Sequence, residues 1–420
     1  MSSYIVRGGK TLSGKIPISG AKNSALKILA ASIMAQGKSV IHNVPDIIDI
    51  SKMEDILMHL GASISKHDST IEIDTSNINT TVLDPALTRK IRASIVLAGP
   101  MLARFGEVTI AEPGGCLIGS RSIDDHLDLL KQFNIDISES GDNYILKGKP
   151  QAGEIVLCKM SVTATENAIM AAVLSKGITK IRVAAAEPEI ADLANFLNKM
   201  GAKIYGAGTH DIEIQGVDKL SPCEYHIMPD RIEAATYIMA ALITNSKLEI
   251  GPLIPEHLSI VLTKLKNAGA SFEITDKEGQ KYILVNNHEG LSSTPIDTRT
   301  YPGFPTDLQS VYAVLMTQAK GKTRIFETLF ESRFGYIEEL KRMNAKIEVV
   351  SPHIIDVYGA SRLKPQEIDA FDIRGGSALV LAALATKGET IIGHAEMIER
   401  GYEKMVEKLD NVGADIQRME

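Results

Sequence analysis

The chain has 420 residues, enough for two or three domains of about 150 residues each. Hydrophobic residues make up 44% and charged residues 23%, a balance that excludes wholesale disorder. The 52 acidic and 45 basic side chains give a net charge of −7, and aromatic residues are only 5%, with no Trp. Nucleic-acid binders usually carry a basic surplus and stacking aromatics, so these numbers argue against nucleic acid and anionic membranes as partners.

The N-terminus and the cysteines indicate a cytoplasmic protein. Residues 1–7 lack a basic flank followed by an apolar core, so no secretory signal is expected here. The apolar runs 93–103 and 378–385 are too short to span a bilayer. The three cysteines are too few and too scattered for a disulfide framework. We therefore expect a reduced, cytoplasmic chain without membrane insertion.

One short pattern recurs six times: a helix ends at a Gly or Asn, and a strand follows. Both residue types tolerate the left-handed conformation in which helices commonly stop. These residues are spaced 67 to 75 positions apart, at Gly61, Asn134, Gly201, Gly269, Asn344 and Gly413. A second pattern, an Ala/Leu/Ile-rich helix followed by a cap and a strand, recurs with the same period at Gly37, Gly106, Gly177, Asn245, Gly321 and Gly388.

Together the two patterns predict an α/β fold of six helix-strand-helix-strand-strand units. The first helix of each unit is apolar on most faces and is expected to be buried, whereas the second is amphipathic and is expected outside. The sixth copy lacks its last strand, so strands at 4–6 and 15–18 are predicted to complete it. Division into three and three predicts a first domain at 22–229 and a discontinuous second domain at 1–21 plus 230–420.

Charged or polar residues stand at the predicted N-terminal ends of the six buried helices. A helix N-terminus offers free N–H groups and partial positive charge, which favour anions. Local cations in an acidic protein indicate a small anionic substrate. The alternative is that some of these residues only cap or solubilise helix ends. The six are Lys22, Arg92, Thr163, Arg231, Asp307 and Arg374.

The segment 112–121 predicts a mobile loop with a reactive thiol. Three glycines within six residues surround Cys116, and Arg121 follows five residues later. Cys158 and Cys223 have no such setting and are interpreted as structural. The ten histidines show no metal-ligand spacing, and no phosphate-loop motif is present in the sequence.

Eight short motifs, spread over essentially the whole chain, resemble the enolpyruvyl transferase family. The resemblance implies a two-domain inside-out α/β barrel. The Pro-Gly-Gly-Cys loop is similar to members that act on UDP-N-acetylglucosamine, because sister members that make 5-enolpyruvylshikimate 3-phosphate lack the cysteine. The motifs are Gly20-Ala21-Lys22-Asn23-Ser24, Pro113-Gly114-Gly115-Cys116, Gly119-Ser120-Arg121, Glu187-Pro188-Glu189-Ile190, Pro229-Asp230-Arg231-Ile232-Glu233, Tyr301-Pro302-Gly303-Phe304-Pro305-Thr306-Asp307, Phe330-Glu331-Ser332-Arg333-Phe334 and Arg400-Gly401-Tyr402.

The resemblance also implies an activity. The enolpyruvyl group of phosphoenolpyruvate would pass to the 3′-hydroxyl of UDP-N-acetylglucosamine with release of phosphate. This is the first committed step of peptidoglycan synthesis, and hence of cell-wall biogenesis, cell shape and division. The implied partners are these two small molecules. No metal or organic cofactor is implied, and fosfomycin is the implied inhibitor.

Residue roles follow from the same resemblance. Cys116 is expected to be the general acid and Asp307 the base. Lys22, Arg121 and Arg400 are expected to hold phosphoenolpyruvate, with Arg374 as a further candidate. Lys22 and Arg400 are also expected to be catalytic. Asn23, Arg92 and Arg333 are expected in the same cleft. The nucleotide is expected along Arg121, Ser122, Ile123, Asp124, Asp125, Lys159, Met160, Ser161, Val162, Thr163, Asp307 and Leu329.

Four positions depart from the family pattern. Ile48 stands where relatives often have Lys, and Thr163 where they usually have Gly. Ser122 and Asp125 replace the usual Pro and Leu. Two alternatives therefore stay open: a transferase of the same fold acting on another alcohol such as shikimate 3-phosphate, and a ligand-binding paralogue without turnover.

Overall fold

A computed structural model of the chain describes residues 2–114 and 122–420. The described residues divide into two compact units. One unit contains the described residues between Gly20 and Met228. The other contains the N-terminal segment up to Ser19 together with Pro229–Glu420.

The described residues contain helices that alternate with strands, and the α/β prediction is confirmed. Short 3-10 helices lie at Ser32–Met34, Arg92–Leu97, Pro255–Leu258 and Thr306–Leu308. The α-helices are α1 (Lys22–Ala31), α2 (Ile48–His59), α3 (Pro85–Thr88), α4 (Ala98–Phe105), α5 (Asp124–Gln132), α6 (Val162–Ala172), α7 (Pro188–Lys199), α8 (Arg231–Ile243), α9 (Ser259–Asn267), α10 (Gln309–Met316), α11 (Ile337–Arg342), α12 (Ile373–Ala385), α13 (Glu396–Glu399) and α14 (Met405–Asp410).

The strands are short, and most helices are followed by one or two of them. They are β1 (Ser3–Gly8), β2 (Ser13–Ile16), β3 (Lys38–His42), β4 (Ser63–His67), β5 (Thr70–Asp74), β6 (Glu107–Ala111), β7 (Asp136–Ser140), β8 (Asn143–Lys147), β9 (Glu154–Val156), β10 (Ile178–Arg182), β11 (Lys203–Tyr205), β12 (Asp211–Gln215), β13 (Glu224–His226), β14 (Lys247–Leu253), β15 (Phe272–Lys277), β16 (Gln280–Val285), β17 (Ile296–Asp297), β18 (Gly321–Phe326), β19 (Lys346–Ser351), β20 (Ile354–Gly359), β21 (Glu367–Asp369), β22 (Gly388–Gly393) and β23 (Ile416–Met419).

The strands form six sheets in the described residues, three in each unit. The first unit holds β13-β3-β5-β4, β6-β8-β7 and β11-β12-β10-β9, and the second holds β15-β16-β14-β2, β17-β18-β20-β19 and β21-β22-β1-β23. In five of them, the strand after a buried helix pairs antiparallel with the last strand of the same predicted repeat. In five of the six sheets a further strand lies parallel to that first strand.

The two N-terminal strands join different sheets. β1 lies between β22 and β23, antiparallel to both, so the prediction for 4–6 is confirmed. The prediction for 15–18 is wrong, because β2 pairs parallel with β14 of the fourth predicted repeat, with Ile16 opposite Ile250. This strand ends at Ile16 because Pro17 has no N–H with which to continue the ladder.

The apolar helices are buried, as their composition predicts. Every residue of α10 is buried, and in α8 and α12 only terminal residues are not. The second helices α2 and α7 bury one face and expose the other. No helix among residues 2–114 and 122–420 combines the length and apolarity needed to cross a membrane.

The Gly and Asn residues of the two sequence patterns adopt the backbone conformation expected of them. All twelve Gly and Asn positions of the two patterns have positive φ, between 48° and 123°. An L-residue with a Cβ pays a steric penalty there, which Gly avoids and Asn offsets by local hydrogen bonds. The first pattern therefore marks real helix ends. In the second pattern, Gly106 directly follows α4, whereas Gly321 and Gly388 are the first residues of strands β18 and β22.

Candidate active site

A close approach of two backbone segments positions Lys22. A Cβ at Gly20 would lie 1.7 Å from the carbonyl oxygen of Asn43, so only glycine fits. The Ala21 N–H donates to the Met228 carbonyl at 2.8 Å, and α1 starts at the next residue. Lys22 thus lies at the first position of a buried helix, and only 8% of its surface is exposed.

The Lys22 ammonium pairs with a carboxylate that the sequence did not reveal. Its Nζ lies 2.8 Å from Oδ2 of Asp49, and both side chains are almost fully buried. Asp49 is in the first turn of α2, directly after Ile48. Acidic residues are common in first turns, where they favour the helix dipole, so no sequence signal singled this one out. The pairing keeps Lys22 charged and fixed in position.

The first segment that was predicted to contact the nucleotide, 122–125, is held by side chains of the same unit. The Arg92 guanidinium donates through Nη2 to the Ser122 carbonyl at 3.0 Å. The Ser122 hydroxyl donates to Oδ2 of Asp124 at 2.7 Å and accepts from the Asp124 N–H at 3.2 Å. Serine at the unusual position thus makes a turn ahead of α5. Ile123, which precedes α5, is buried.

The second segment, 159–163, lies against the first. Lys159 Nζ is 2.6 Å from Oδ2 of Asp125, with the lysine 68% and the aspartate 26% exposed. The Ser161 hydroxyl accepts from the Ala164 N–H at 3.4 Å and caps α6, which begins at Val162. Tertiary structure therefore brings together two stretches that are more than thirty positions apart in the sequence.

A hydrogen bond between His126 and Thr163 is a second contact between the two segments. His126 Nε2 lies 3.1 Å from the Thr163 hydroxyl, and its Nδ1 lies 2.9 Å from Nδ2 of Asn167. Asn167 also donates to the Ile95 carbonyl and accepts from the Gly99 N–H. Burial, together with the positive charges of Arg92 and Lys159, lowers the pKa of His126 to about 3. The imidazole is therefore neutral, and neither it nor Asn167 was singled out by the sequence.

In the other unit, Asp307 lies between two arginines. It is part of the 3-10 turn that leads directly into α10. Its Oδ1 is 2.5 Å from Nη2 of Arg333, and its Oδ2 is 3.3 Å from Nη2 of Arg374. The two arginine side chains are 6% and 7% exposed, whereas the aspartate is 31% exposed. Adjacent guanidinium groups favour the ionised carboxylate, which is the form a base requires.

Arg374 is fixed by its backbone and by an aromatic ring. The Ser310 hydroxyl donates to its carbonyl at 2.9 Å, and its guanidinium carbon lies 5.3 Å from the centroid of the Tyr402 ring. Burial alone would lower the pKa of Arg374, but Tyr402, Asp307 and Asp230 outweigh it and raise the pKa above its usual value. Within the described residues, Nη1 is buried without a hydrogen-bond partner. This donor is available to an anion.

Glu327 connects the Asp307 turn to Leu329, and the sequence did not reveal it either. The fully buried carboxylate accepts from the Thr306 hydroxyl at 2.8 Å and from the Leu329 N–H at 2.9 Å. The Leu329 side chain is 38% exposed. A carboxylate directly after strand β18 was the available signal. Glu327 therefore positions residues on both sides of the proposed base.

The residues predicted at helix starts do lie there. Lys22, Arg92 and Arg231 open their helices, Thr163 and Arg374 are second, and Asp307 is in the 3-10 turn before α10. At α8 and α12, however, the expected free N–H groups are already bonded to the chain's own caps, Asp230 and Asp372. At these two helices the side chains rather than the backbone can meet an anion.

The remaining predicted residues divide as follows. Asn23 is the second residue of α1, and Arg400 directly follows α13. Met160 lies between Lys159 and the Ser161 cap. Cys116 and Arg121 lie outside the described residues. Within residues 2–114 and 122–420, His, Cys, Asp and Glu form no group of three able to hold a metal ion.

Comparison with known proteins gives the family. A model described as EPSP synthase (3-phosphoshikimate 1-carboxyvinyltransferase) matches residues 6–409. The chain belongs to the enolpyruvyl transferase family. It is 42% identical to UDP-N-acetylglucosamine 1-carboxyvinyltransferase of Desulforapulum autotrophicum, with 100% of both chains covered. It is 44% identical to UDP-N-acetylglucosamine 1-carboxyvinyltransferase 2 of Caldanaerobacter subterraneus subsp. tengcongensis, again over 100% of both.

Solved structures share the fold. The enolpyruvyl transferase NikO from Streptomyces tendae has a TM-score of 0.89 at 25% identity, covering 100% of this chain and 99% of its own. EPSP synthase from Acinetobacter baumannii has a TM-score of 0.78 at 16% identity over 100% of both chains. The second likeness bears on the fold alone.

Proposed function

We propose that the chain transfers the enolpyruvyl group of phosphoenolpyruvate to the 3′-hydroxyl of UDP-N-acetylglucosamine, with release of phosphate. The observation that carries this proposal is full-length identity of 42–44% to relatives named for this activity. As the first committed step of peptidoglycan synthesis, the reaction would serve cell-wall biogenesis. Shikimate 3-phosphate is the rival acceptor, because the matching family model bears the name of the enzyme that uses it.

The proposed chemistry needs one acid and one base. The alcohol oxygen attacks C2 of phosphoenolpyruvate while a proton is added to the methylene carbon C3, giving a tetrahedral intermediate. Asp307 would take the proton from the attacking hydroxyl, and the Cys116 thiol would supply the proton to C3. Loss of a proton from C3 and of phosphate from C2 then restores the double bond. The ion pairs of Asp307 with Arg333 and Arg374 support the assignment of the base.

Phosphoenolpyruvate brings a phosphate and a carboxylate, which fixed cations can bind. Lys22, Arg121 and Arg400 are proposed to hold them, with Arg374 and Arg333 as further ligands. The Nη1 of Arg374 is buried and has no hydrogen-bond partner in the described part of the chain, which supports its role. Fixed cations stabilise the leaving phosphate without a metal, so no cofactor is proposed.

The acceptor nucleotide is proposed to lie along 121–125 and 159–163, with Asn23, Arg92 and Leu329 also contributing. Contacts between Asp125 and Lys159 and between His126 and Thr163 support a common surface for the two segments. Each segment precedes or opens a helix, where N–H groups favour phosphate oxygens.

We also propose an inside-out α/β barrel in each of two domains, each built from three of the six predicted repeats. The three sheets of each unit, drawn mostly from single predicted repeats, support this arrangement. The predicted domain limits, 22–229 and 1–21 plus 230–420, lie within two residues of the unit limits. The cytoplasmic location stays a prediction from the sequence.

The test is phosphate release from phosphoenolpyruvate with each acceptor separately. Release with UDP-N-acetylglucosamine and none with shikimate 3-phosphate supports the proposal, and the reverse result overturns the acceptor. Binding of both substrates without phosphate release would identify a ligand-binding paralogue instead.

A further inference from the structure

We propose that His126 is a positioning residue for the nucleotide, acting through the hydroxyl of Thr163. The inference rests on the proposed function, because it concerns the diphosphate of the acceptor. It also assigns a use to Thr163, which stands where the family usually has glycine. The threonine hydroxyl would add one oriented donor at the start of α6, aimed at a phosphate oxygen.

The hydrogen bonds of Asn167 decide which nitrogen of His126 carries the proton. Gly99 N–H donates to Asn167 Oδ1 at 2.8 Å, so this atom is the amide oxygen. Asn167 Nδ2 is then a donor, and it contacts both the Ile95 carbonyl and His126 Nδ1 at 2.9 Å. His126 Nδ1 therefore accepts, and the proton of the neutral ring is on Nε2.

The tautomer in turn fixes the role of the threonine. His126 Nε2–H donates to Thr163 Oγ1 over 3.1 Å, so the hydroxyl oxygen is used as an acceptor. The hydroxyl hydrogen must then point elsewhere, and no acceptor for it is found among the described residues. Thr163 is partly exposed and is the second residue of α6, where backbone N–H groups also favour an anion.

The support for this hydroxyl is rigid. His126 is 4% exposed, and Asn167 is fully buried. The Asn167 side chain joins α6 to the first turn of α4 and to the 3-10 helix that begins at Arg92. A buried, fully satisfied network of this kind holds one geometry. The neutral imidazole also adds no pH dependence of its own near neutrality.

Substitutions can separate the two nitrogens of His126. In His126→Asn, the amide oxygen can replace Nδ1 as acceptor for Asn167, but the donor to Thr163 is lost. In His126→Gln, the amide nitrogen reaches the position of Nε2 and can restore that donor. Thr163→Val removes the hydroxyl at constant shape, and Thr163→Ser keeps it. These four variants form two matched pairs.

We expect His126→Asn and Thr163→Val each to raise KM for UDP-N-acetylglucosamine and Kd for UDP about tenfold, the effect of losing one hydrogen bond to a charged group. The KM for phosphoenolpyruvate and kcat should change less than twofold. His126→Gln and Thr163→Ser should stay close to the wild type. The double variant His126→Asn/Thr163→Val should bind UDP no worse than Thr163→Val.

Three results overturn the inference: an unchanged UDP affinity in Thr163→Val, additive losses in the double variant, or equal losses in His126→Asn and His126→Gln. If His126→Asn does not fold, as judged by circular dichroism, the Thr163 pair decides alone. Calorimetry measures the binding of UDP independently of turnover. An absence of phosphate release in the wild type would thus count against the proposed function and leave the UDP result to be judged separately.

Discussion

Asp307 and Arg333 form a close ion pair, with Oδ1 and Nη2 2.5 Å apart and the guanidinium almost fully buried. Burial of the arginine makes the charge interaction stronger than it would be in water. The same carboxylate reaches Arg374 through its second oxygen. The side chain of the proposed base is thus held by two arginines that the sequence analysis also singled out, each from a different segment of the chain.

Asp307→Asn should remove the base while keeping the size of the side chain. We expect kcat to fall by about 10²- to 10⁴-fold, since that is the usual contribution of a general base. Binding of both substrates, measured by calorimetry, should persist. Asp297→Asn serves as the control, because Asp297 is exposed and its pairing with Arg299 is at the surface. Turnover unchanged in Asp307→Asn would remove this residue from the mechanism.

Fosfomycin should alkylate Cys116 and leave the other two thiols unmodified. Thiolate is the reacting form, and a thiol close to fixed cations is the more readily ionised. Burial raises the pKa of Cys223, which disfavours its reaction. Cys158 is exposed and provides the internal control for non-specific labelling. Mass spectrometry of the peptides checks the site, and an adduct on Cys158 but none on Cys116 would contradict the prediction.

Glu166 should make folding less favourable as the pH rises from about 5 to about 8. Burial raises its pKa to about 8, despite Lys27 with Nζ at 3.5 Å, and Glu189 and Glu187 raise it further. The unfolded chain releases this proton near its ordinary pKa of about 4.5, so between the two values the folded state binds more protons and loses stability with pH.

The unfolding free energy of Glu166→Gln, measured relative to that of the wild type, should therefore be higher at pH 8 than at pH 5. Urea unfolding at the two pH values measures the difference. Glu154→Gln, at an exposed glutamate, is the matched control. If the unfolding free energies of the wild type and Glu166→Gln differ by the same amount at both pH values, Glu166 does not carry the proton.

Asp356 should stabilise the fold above about pH 4 and lose this effect as the pH falls towards 2. Hydrogen bonds from Arg324 lower its pKa to about 2, against burial, and Lys322 adds to the effect. Both Arg324 contacts are 2.8 Å long. Because the folded-state pKa is depressed, the stabilisation is complete above the unfolded value and disappears through the folded one.

Asp356→Asn should consequently be less stable than the wild type at pH 6. Between pH 4 and pH 2 its stability should fall less than that of the wild type. Thermal unfolding across this range is the measurement. Asp128→Asn, in an exposed pair with Lys131, provides the comparison. Parallel curves for Asp356→Asn and the wild type would refute the assignment.

Gly20→Ala should destabilise the unit that carries Lys22. The added Cβ would overlap the Asn43 carbonyl oxygen, so backbone must move, at a cost of about 1–3 kcal/mol. Because Lys22 is two residues away, KM for phosphoenolpyruvate should rise as well. Gly153→Ala is the control, since a Cβ there meets nothing within 4 Å. Equal unfolding free energies for the two variants would contradict the close approach.

Local patterns were sufficient for the helices and strands and for most of the helix ends. A residue that must adopt positive φ, such as Asn134 or Gly201, limits the choice of amino acid wherever the rest of the chain lies. The burial of the first helices also followed from their composition. The N-terminal strand β2 was assigned to the wrong sheet, because strand partners depend on distant segments and not on the strand's own sequence.

The sequence by itself determined the α/β class and the residues with charge at helix starts, because each depends on neighbours within a few turns. It also predicted the sixfold repeat. Only the tertiary structure decided which of them meet. Asp49 beside Lys22, Glu327 beside Thr306, and His126 beside Thr163 are contacts between separate elements. Such polar partners are ordinary residue types at ordinary positions. Their significance arises when burial removes water and leaves each group to find its partner in the protein.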